Sequence, residues 1–82
     1  MKAKRFSSLE AWLEYRAALG RVASPSPEER ATLAEIEQIL GILTPDERAS
    51  LDDPTTSAAA RRAERARRKL ARELAARGLL ED

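Results

Sequence analysis

The chain has 82 residues and contains neither cysteine nor histidine, which excludes disulfides and thiolate metal sites and removes the commonest general base. Its net charge of +1 conceals a separation of charge, because residues 8–56 carry ten acids against four arginines while residues 57–80 carry eight cations against two glutamates. Only three glycines among many alanines, arginines, glutamates and leucines predict one all-α domain over residues 1–82, and we expect no enzyme activity, no cofactor and no bound metal.

The first predicted element is a helix over about residues 8–19. It follows residues 1–6, a basic N-terminal stretch that we expect to be disordered. Ser7 and Glu10 have the spacing of a capping box, in which a hydroxyl and a glutamate satisfy free amides at the helix start. Gly20 is expected to stop the helix as its C′ residue.

Helices two and three are predicted over residues 27–40 and 45–51. Each begins with a hydroxyl residue, a proline at the first helical position and a glutamate three residues after the cap. These starts read Ser26-Pro27-Glu28-Glu29 and Thr44-Pro45-Asp46-Glu47. With Ser7 and Glu10 of the first helix, three such signatures make these helix starts the best defined boundaries, and together with the last helix they predict a small four-helix domain.

The expected core joins the first two helices. Trp12 and Tyr15 lie on an apolar helix face, where they serve either as core residues or as platforms for stacked bases, and the apolar setting favours the core. Leu9, Trp12, Leu13 and Leu19 of the first helix are expected to meet the densest apolar cluster of the chain, which comprises Ile36, Ile39, Leu40, Ile42 and Leu43.

The fourth predicted helix, residues 57–77, is the longest and is ended by Gly78. At 100° per residue, six of its cations fall within an arc of about 120° that contains no acid. This basic arc comprises Arg61, Arg62, Arg65, Arg68, Lys69 and Arg72. The opposite side is mostly alanine, which buries little area, so we expect the first half of the helix to pack weakly.

The basic arc has three interpretations. A stripe of arginines matches phosphate groups, which predicts a nucleic-acid partner, with DNA favoured over RNA. In the second interpretation the arc is a solvated face with the helical ion pairs Glu64–Arg68, Lys69–Glu73 and Glu73–Arg77, although a purely solubilising face normally mixes signs. In the third interpretation the acidic first and second helices dock on the arc, in the same molecule or in a second copy of a homodimer. The acids available for this docking are Glu28, Glu35, Glu37, Asp52 and Asp53.

Arg67 falls on the apolar side of the fourth helix. Burial of an unpaired guanidinium is costly, so its stem either lies over the edge of the bundle with its head in water or faces an acid of a partner. The second possibility makes Arg67, Ala63 and Ala66 a candidate partner interface, and an acidic protein surface is the kind of partner it would take.

The second half of the chain resembles region 4 of bacterial sigma factors, especially the extracytoplasmic-function type. Residues 43–51 (LTPDERASL) are similar to the opening "L-P/T-P-x-E-R-x-x-L" helix, and residues 56–70 are similar to the start and end of the DNA-reading helix. The resemblance spans residues 43–74 and implies contact of the last helix with promoter DNA, or of the protein with RNA polymerase. The supporting helix of the helix-turn-helix is missing, because only residues 52–56 separate the two matching pieces.

These observations favour a non-catalytic, transcription-related regulatory protein, bacterial or phage, that binds nucleic acid through the basic arc. The alternative is a small protein-interaction module, such as an inhibitor or adaptor of a larger enzyme, RNA polymerase among them. No run of apolar residues approaches the length of a membrane span, so we expect a cytoplasmic protein with no membrane partner.

Overall fold

Four α-helices make up the domain in the computed structural model, which describes residues 5–81. They are α1 (Leu9–Gly20), α2 (Pro27–Leu40), α3 (Pro45–Asp52) and α4 (Ser57–Ala76). The predicted all-α, four-helix fold with a long basic C-terminal helix is confirmed. Most of the basic stretch 1–6 lies outside the described residues, but Phe6 lies within them and is buried.

The predicted capping boxes of α2 and α3 are both present. The Ser26 hydroxyl accepts from the amide of Glu29 at 3.2 Å, and the Glu29 carboxylate accepts from the amide of Ser26 at 2.9 Å. Thr44 and Glu47 exchange the equivalent pair of bonds at 3.1 and 2.9 Å. Each box satisfies two amides that the helix itself leaves without partners, which explains why these two starts fall where the sequence predicts them.

Both predicted ends of α1 need correction. Ser8, not Ser7, is the N-cap, and its hydroxyl accepts from the amide of Ala11. This shift moves Glu10 out of the capping position, so α1 has no capping box. Gly20 is the last helical residue rather than a C′ residue, because the chain turns at Arg21, whose φ of −90° is right-handed.

The C-terminus of α4 is closed by a Schellman motif around Gly78. The amide of Gly78 donates to the carbonyl of Ala75 at 3.0 Å, and the amide of Leu79 donates to that of Leu74 at 2.9 Å. Gly78 has a φ of +72°, the only left-handed residue among those described. The turn directs the chain onto Phe6, whose amide donates to the Leu79 carbonyl at 2.7 Å in an isolated parallel bridge.

Substituting two glycines by alanine is expected to have opposite effects on stability. Gly78→Ala forces a Cβ into the left-handed region and is expected to lower the free energy of unfolding by about 1 kcal/mol. Gly20→Ala, the matched control, meets no atom within 4 Å in a helical conformation and is expected to raise it by about 0.5 kcal/mol. Urea denaturation checks both signs, and equal effects at the two positions would contradict the assigned conformations.

The core draws its largest fully buried side chains from three helices. These are Trp12 of α1, Ile39 and Leu40 of α2, and Leu70 and Leu74 of α4. The predicted meeting of α1 with the apolar cluster of α2 is therefore confirmed, and Trp12 is a core residue. Ile42 is the exception, because it lies in the turn after α2 and is 39% exposed.

The α4 helix packs along most of its length, contrary to the expectation for its first half. Its buried seam repeats every three or four residues and comprises Ala59, Ala63, Ala66, Leu70 and Leu74. The α3 helix packs mainly on α4. Because a loop of four residues joins these helices while Glu47 near the start of α3 reaches Lys69, they form an antiparallel hairpin that holds the first half of α4 in place.

Candidate nucleic-acid interface

All six residues of the basic arc are exposed on one side of α4. The buried seam holds the opposite side against the other helices, so the arc faces solvent. Twenty residues at about 1.5 Å each make α4 about 30 Å long, and Arg61 and Arg72 are about 16 Å apart along its axis. The arc is therefore a rigid, extended cationic surface, as its periodicity predicts.

Two of the six cations are already paired within the chain. Arg68 donates to Glu64 at 2.8 Å, and Lys69 donates to Glu47 at 2.8 Å. The remaining four form no side-chain hydrogen bond or ion pair with any residue in the described range 5–81, and they are Arg61, Arg62, Arg65 and Arg72. Their guanidinium groups are available to an external anion, and we call these residues the four free arginines.

None of the five acids expected to dock on the arc contacts it among the described residues, and the acid that does is Glu47 of α3, which pairs with Lys69. Glu37 binds Arg48 at 2.6 Å and Asp52 binds Arg16 at 3.0 Å. These two acids therefore neutralise arginines of their own half of the molecule. The other acids predicted for this docking contact no cation of the arc among the described residues, and they are Glu28, Glu35 and Asp53.

Glu47 lies next to the basic arc, and hydrogen bonds hold its carboxylate in place. Its side chain is only 8% exposed, and its Oε1 atom accepts both from Lys69 at 2.8 Å and from the Thr44 amide at 2.9 Å. The hydrogen bond from Lys69, followed by that from the Thr44 backbone, lowers the pKa of Glu47 to about 2 because both favour the ionised form. This residue therefore stays ionised and ties the start of α3 to the middle of α4.

Arg67 lies at the edge of the bundle with its side chain 45% exposed, as the first of its two predicted positions requires. Its Nη2 atom is 3.5 Å from Oε1 of Glu10, whose side chain is 63% exposed. This is an ion pair without a close hydrogen bond, and such exposed pairs contribute little to stability. Within the chain, the acid that faces Arg67 is Glu10.

The predicted partner interface of Arg67, Ala63 and Ala66 is wrong for Ala66. Ala66 is fully buried and Ala63 is 8% exposed, because both belong to the seam that packs α4 on the rest of the domain. Ala63 does line a surface groove together with Leu13, Leu51 and Arg67. Of the three predicted residues, Arg67 alone presents its side chain to solvent.

Aromatic side chains are absent from the arc. The chain has one phenylalanine, one tryptophan and one tyrosine. Trp12 is 2% exposed in the core, and the ring of Tyr15 packs at 5.3 Å from that of Phe6. Since binders of single strands usually stack bases on aromatic rings, the arc offers charge without a stacking platform.

Sequence reasoning misses the two ion pairs that join α4 to other helices. From the sequence, Glu47 is predicted only as a capping residue of α3, and Glu10 only as half of a capping box of α1. The first box is present and the second does not form. No local pattern identifies these pairs, because each joins residues of two different helices that lie at least 22 positions apart in the chain. Of the predicted local pairs, Glu64–Arg68 and Glu73–Arg77 are present, since a spacing of four residues brings side chains together within a helix. The predicted pair Lys69–Glu73 does not form, because Lys69 binds Glu47 and Glu73 binds Arg77.

No protein-family model, curated protein or solved structure matches the chain. Within residues 5–81, no helix combines the length and apolar content needed to cross a bilayer. Over the same range, no group of three or more carboxylates is arranged to hold a metal ion. The basic arc is the candidate site because its six cations share one exposed side of α4.

Proposed function

We propose that this domain is a non-catalytic nucleic-acid-binding protein that holds DNA through the basic arc of α4. The observation that carries the proposal is that four arginines on one exposed helix face have no partner among the described residues. Like charges held so close together repel one another and gain most from a polyanion that lies across all of them.

Phosphate is the anion that this surface fits best. The planar guanidinium group offers paired donors to phosphate oxygens, whereas lysine acts only as a point charge. The one lysine of the arc, Lys69, is held by the buried Glu47, while all four free residues are arginines. A duplex backbone presents one charge about every 1.7 Å of its axis, so a stripe of about 16 Å meets several phosphates.

We further propose that the DNA-binding domain has a regulatory role in transcription. It rests on the resemblance of residues 43–74 to region 4 of sigma factors, in which the corresponding helix reads promoter DNA. Here α3 and α4 form an antiparallel hairpin without a further helix between them. The α3 helix and its Glu47–Lys69 ion pair would then take over the supporting role by fixing the orientation of α4.

A salt titration of DNA binding tests the proposal. Each neutralised phosphate contributes a slope of about −0.9 to the plot of log affinity against log salt concentration. If the four free arginines each neutralise one phosphate, affinity for a duplex should fall about 100-fold between about 50 and about 200 mM salt. Fluorescence anisotropy with a labelled duplex measures this slope, and absence of binding to DNA and RNA at low salt would refute the proposed function.

A protein-interaction module is the second candidate, because the free arginines also match a carboxylate-rich protein surface. Nuclease treatment before affinity capture separates the two functions. A partner retained by the wild-type domain after nuclease treatment, and lost with Arg65→Glu, would favour an inhibitor or adaptor. Loss of all captured material on nuclease treatment would favour nucleic acid.

A further inference from the structure

A groove runs along α4 on the side away from the basic arc. It lies between α1 and α4, and its floor is apolar, formed by Leu13, Ala17, Leu51 and Ala63. Leu13 and Leu51 are each only partly buried. The groove consists of two depressions that share Leu13 and Arg67 as lining residues. Arg67 is rotated about 160° from the middle of the basic arc on the helical wheel. We call this surface the α1–α4 groove.

The two walls of the groove carry opposite charges. Glu10 and Glu14, one helical turn apart, stand on the α1 wall, and both are exposed. Arg67 stands on the α4 wall and is held only by the 3.5 Å ion pair with Glu10. Glu14 forms no hydrogen bond or ion pair through its side chain with any residue in the described range. Each molecule thus offers one free acid and one loosely held cation across an apolar floor.

We propose that a second copy of this chain occupies the α1–α4 groove. In a two-fold symmetric pair, every contact is made twice with the roles of the residues exchanged. A surface with an acidic wall, an apolar floor and a basic wall is complementary to itself under that symmetry. With the two-fold axis along the groove, Glu14 of one subunit faces Arg67 of the partner subunit, and the reverse contact forms on the opposite wall.

Other occupants fit the groove less well. A strongly acidic segment would meet Glu10 and Glu14, and like charges across an interface are costly. A strongly basic segment would meet Arg67 and also Arg16, whose guanidinium is already held by Asp52 at 3.0 Å. A second copy supplies both signs in the required order, and the partly exposed leucines of both molecules become covered.

Sedimentation equilibrium of the full chain without nucleic acid tests this proposal, which is independent of DNA binding. The wild-type protein should change from monomer to dimer between about 10 μM and about 1 mM. Glu14→Arg alone and Arg67→Glu alone should each weaken the dimer about tenfold or more, because each places two like-charged pairs in the interface. Glu35→Arg, on the exposed side of α2, is the matched control and should leave the dimer unchanged.

Mixing the two single variants, Glu14→Arg and Arg67→Glu, provides the decisive measurement. In an equimolar mixture, the arginine introduced at position 14 of one variant faces the glutamate introduced at position 67 of the other. The native Arg67 of the first variant faces the native Glu14 of the second, so a heterodimer should form at concentrations where each variant alone is monomeric.

Recovery of the dimer in this mixture cannot come from damaged folding, and circular dichroism of each variant verifies the fold separately. A wild-type chain that remains a monomer at about 1 mM would overturn the proposal, and so would a mixture that stays monomeric.

Discussion

Replacing Arg61 and Arg65 together by glutamate is expected to abolish DNA binding. Both arginines are exposed, neither has an ion-pair partner among the described residues, and they line the same shallow depression on α4. Each substitution removes a phosphate contact and adds a charge that repels the backbone. Affinity at about 100 mM salt should fall about 100-fold or more.

Arg65→Ala alone should reduce the steepness of the plot of log affinity against log salt concentration by about one, and anisotropy titrations measure this slope directly.

The matched control for this double variant is Arg30→Glu combined with Arg21→Glu. These arginines are exposed and lie outside α4. Both double variants replace two arginines by glutamates, so they change the net charge of the protein equally. The control should retain affinity within about threefold, because charges displaced from the contact act only through the screened long-range field. If the control loses as much affinity as Arg61→Glu with Arg65→Glu, binding depends on net charge rather than on the basic arc.

Replacing Glu47 by glutamine is expected to lower the thermal midpoint at neutral pH and to reduce its dependence on pH in acid. The folded-state pKa of Glu47 is about 2, against an ordinary value of 4.5. Because the pKa is lowered on folding, the ionised carboxylate stabilises the fold fully above pH 4.5. That stabilisation is lost as the pH falls from 4.5 towards 2, where the folded state also takes up the proton. Thermal denaturation of wild type and variant from neutral pH down through this range measures the difference.

Glu35→Gln supplies the comparison for this measurement. Glu35 lies exposed on α2 and forms no ion pair with another described residue, so its substitution should leave both the midpoint and its pH dependence close to those of wild type. Lys69→Met should also lower the thermal midpoint, by part of the amount seen with Glu47→Gln, since it removes the same ion pair. Equal pH curves for Glu47→Gln and wild type would show that Glu47 is not tied to Lys69 in solution.

Helix positions can be predicted from this sequence because their signals are local. The capping boxes at Ser26 and Thr44 depend on residues three apart, and the buried seam of α4 follows from the helical repeat. The start of α1 differs from its prediction by one residue because two adjacent serines offer equivalent caps. The left-handed turn predicted at Gly20 does not form, since a glycine is also tolerated at the last position of a helix, where boundaries are least defined.

For the candidate site, the sequence predicts the basic side of α4 but not the pairing of its individual cations. Periodicity places six cations on one side of α4, but it does not determine which of them are free. That distinction comes from α3, which folds back on α4 and presents Glu47 to Lys69. The position of Glu10 beside Arg67 likewise depends on how α1 crosses α4. Orientation between helices is a tertiary property, and in this chain it decides which charges remain available.

The bridge between Phe6 and Leu80 brings the two ends of the described chain together. The amide of Glu81 donates to the Phe6 carbonyl at 2.8 Å, so the entry and exit of the polypeptide are neighbours. A chain with adjoining ends can be closed by a short linker and reopened in an exposed loop such as residues 22–24 without moving any helix. By the same geometry, the domain can be placed within a surface loop of a host protein without pulling the two sides of that loop apart.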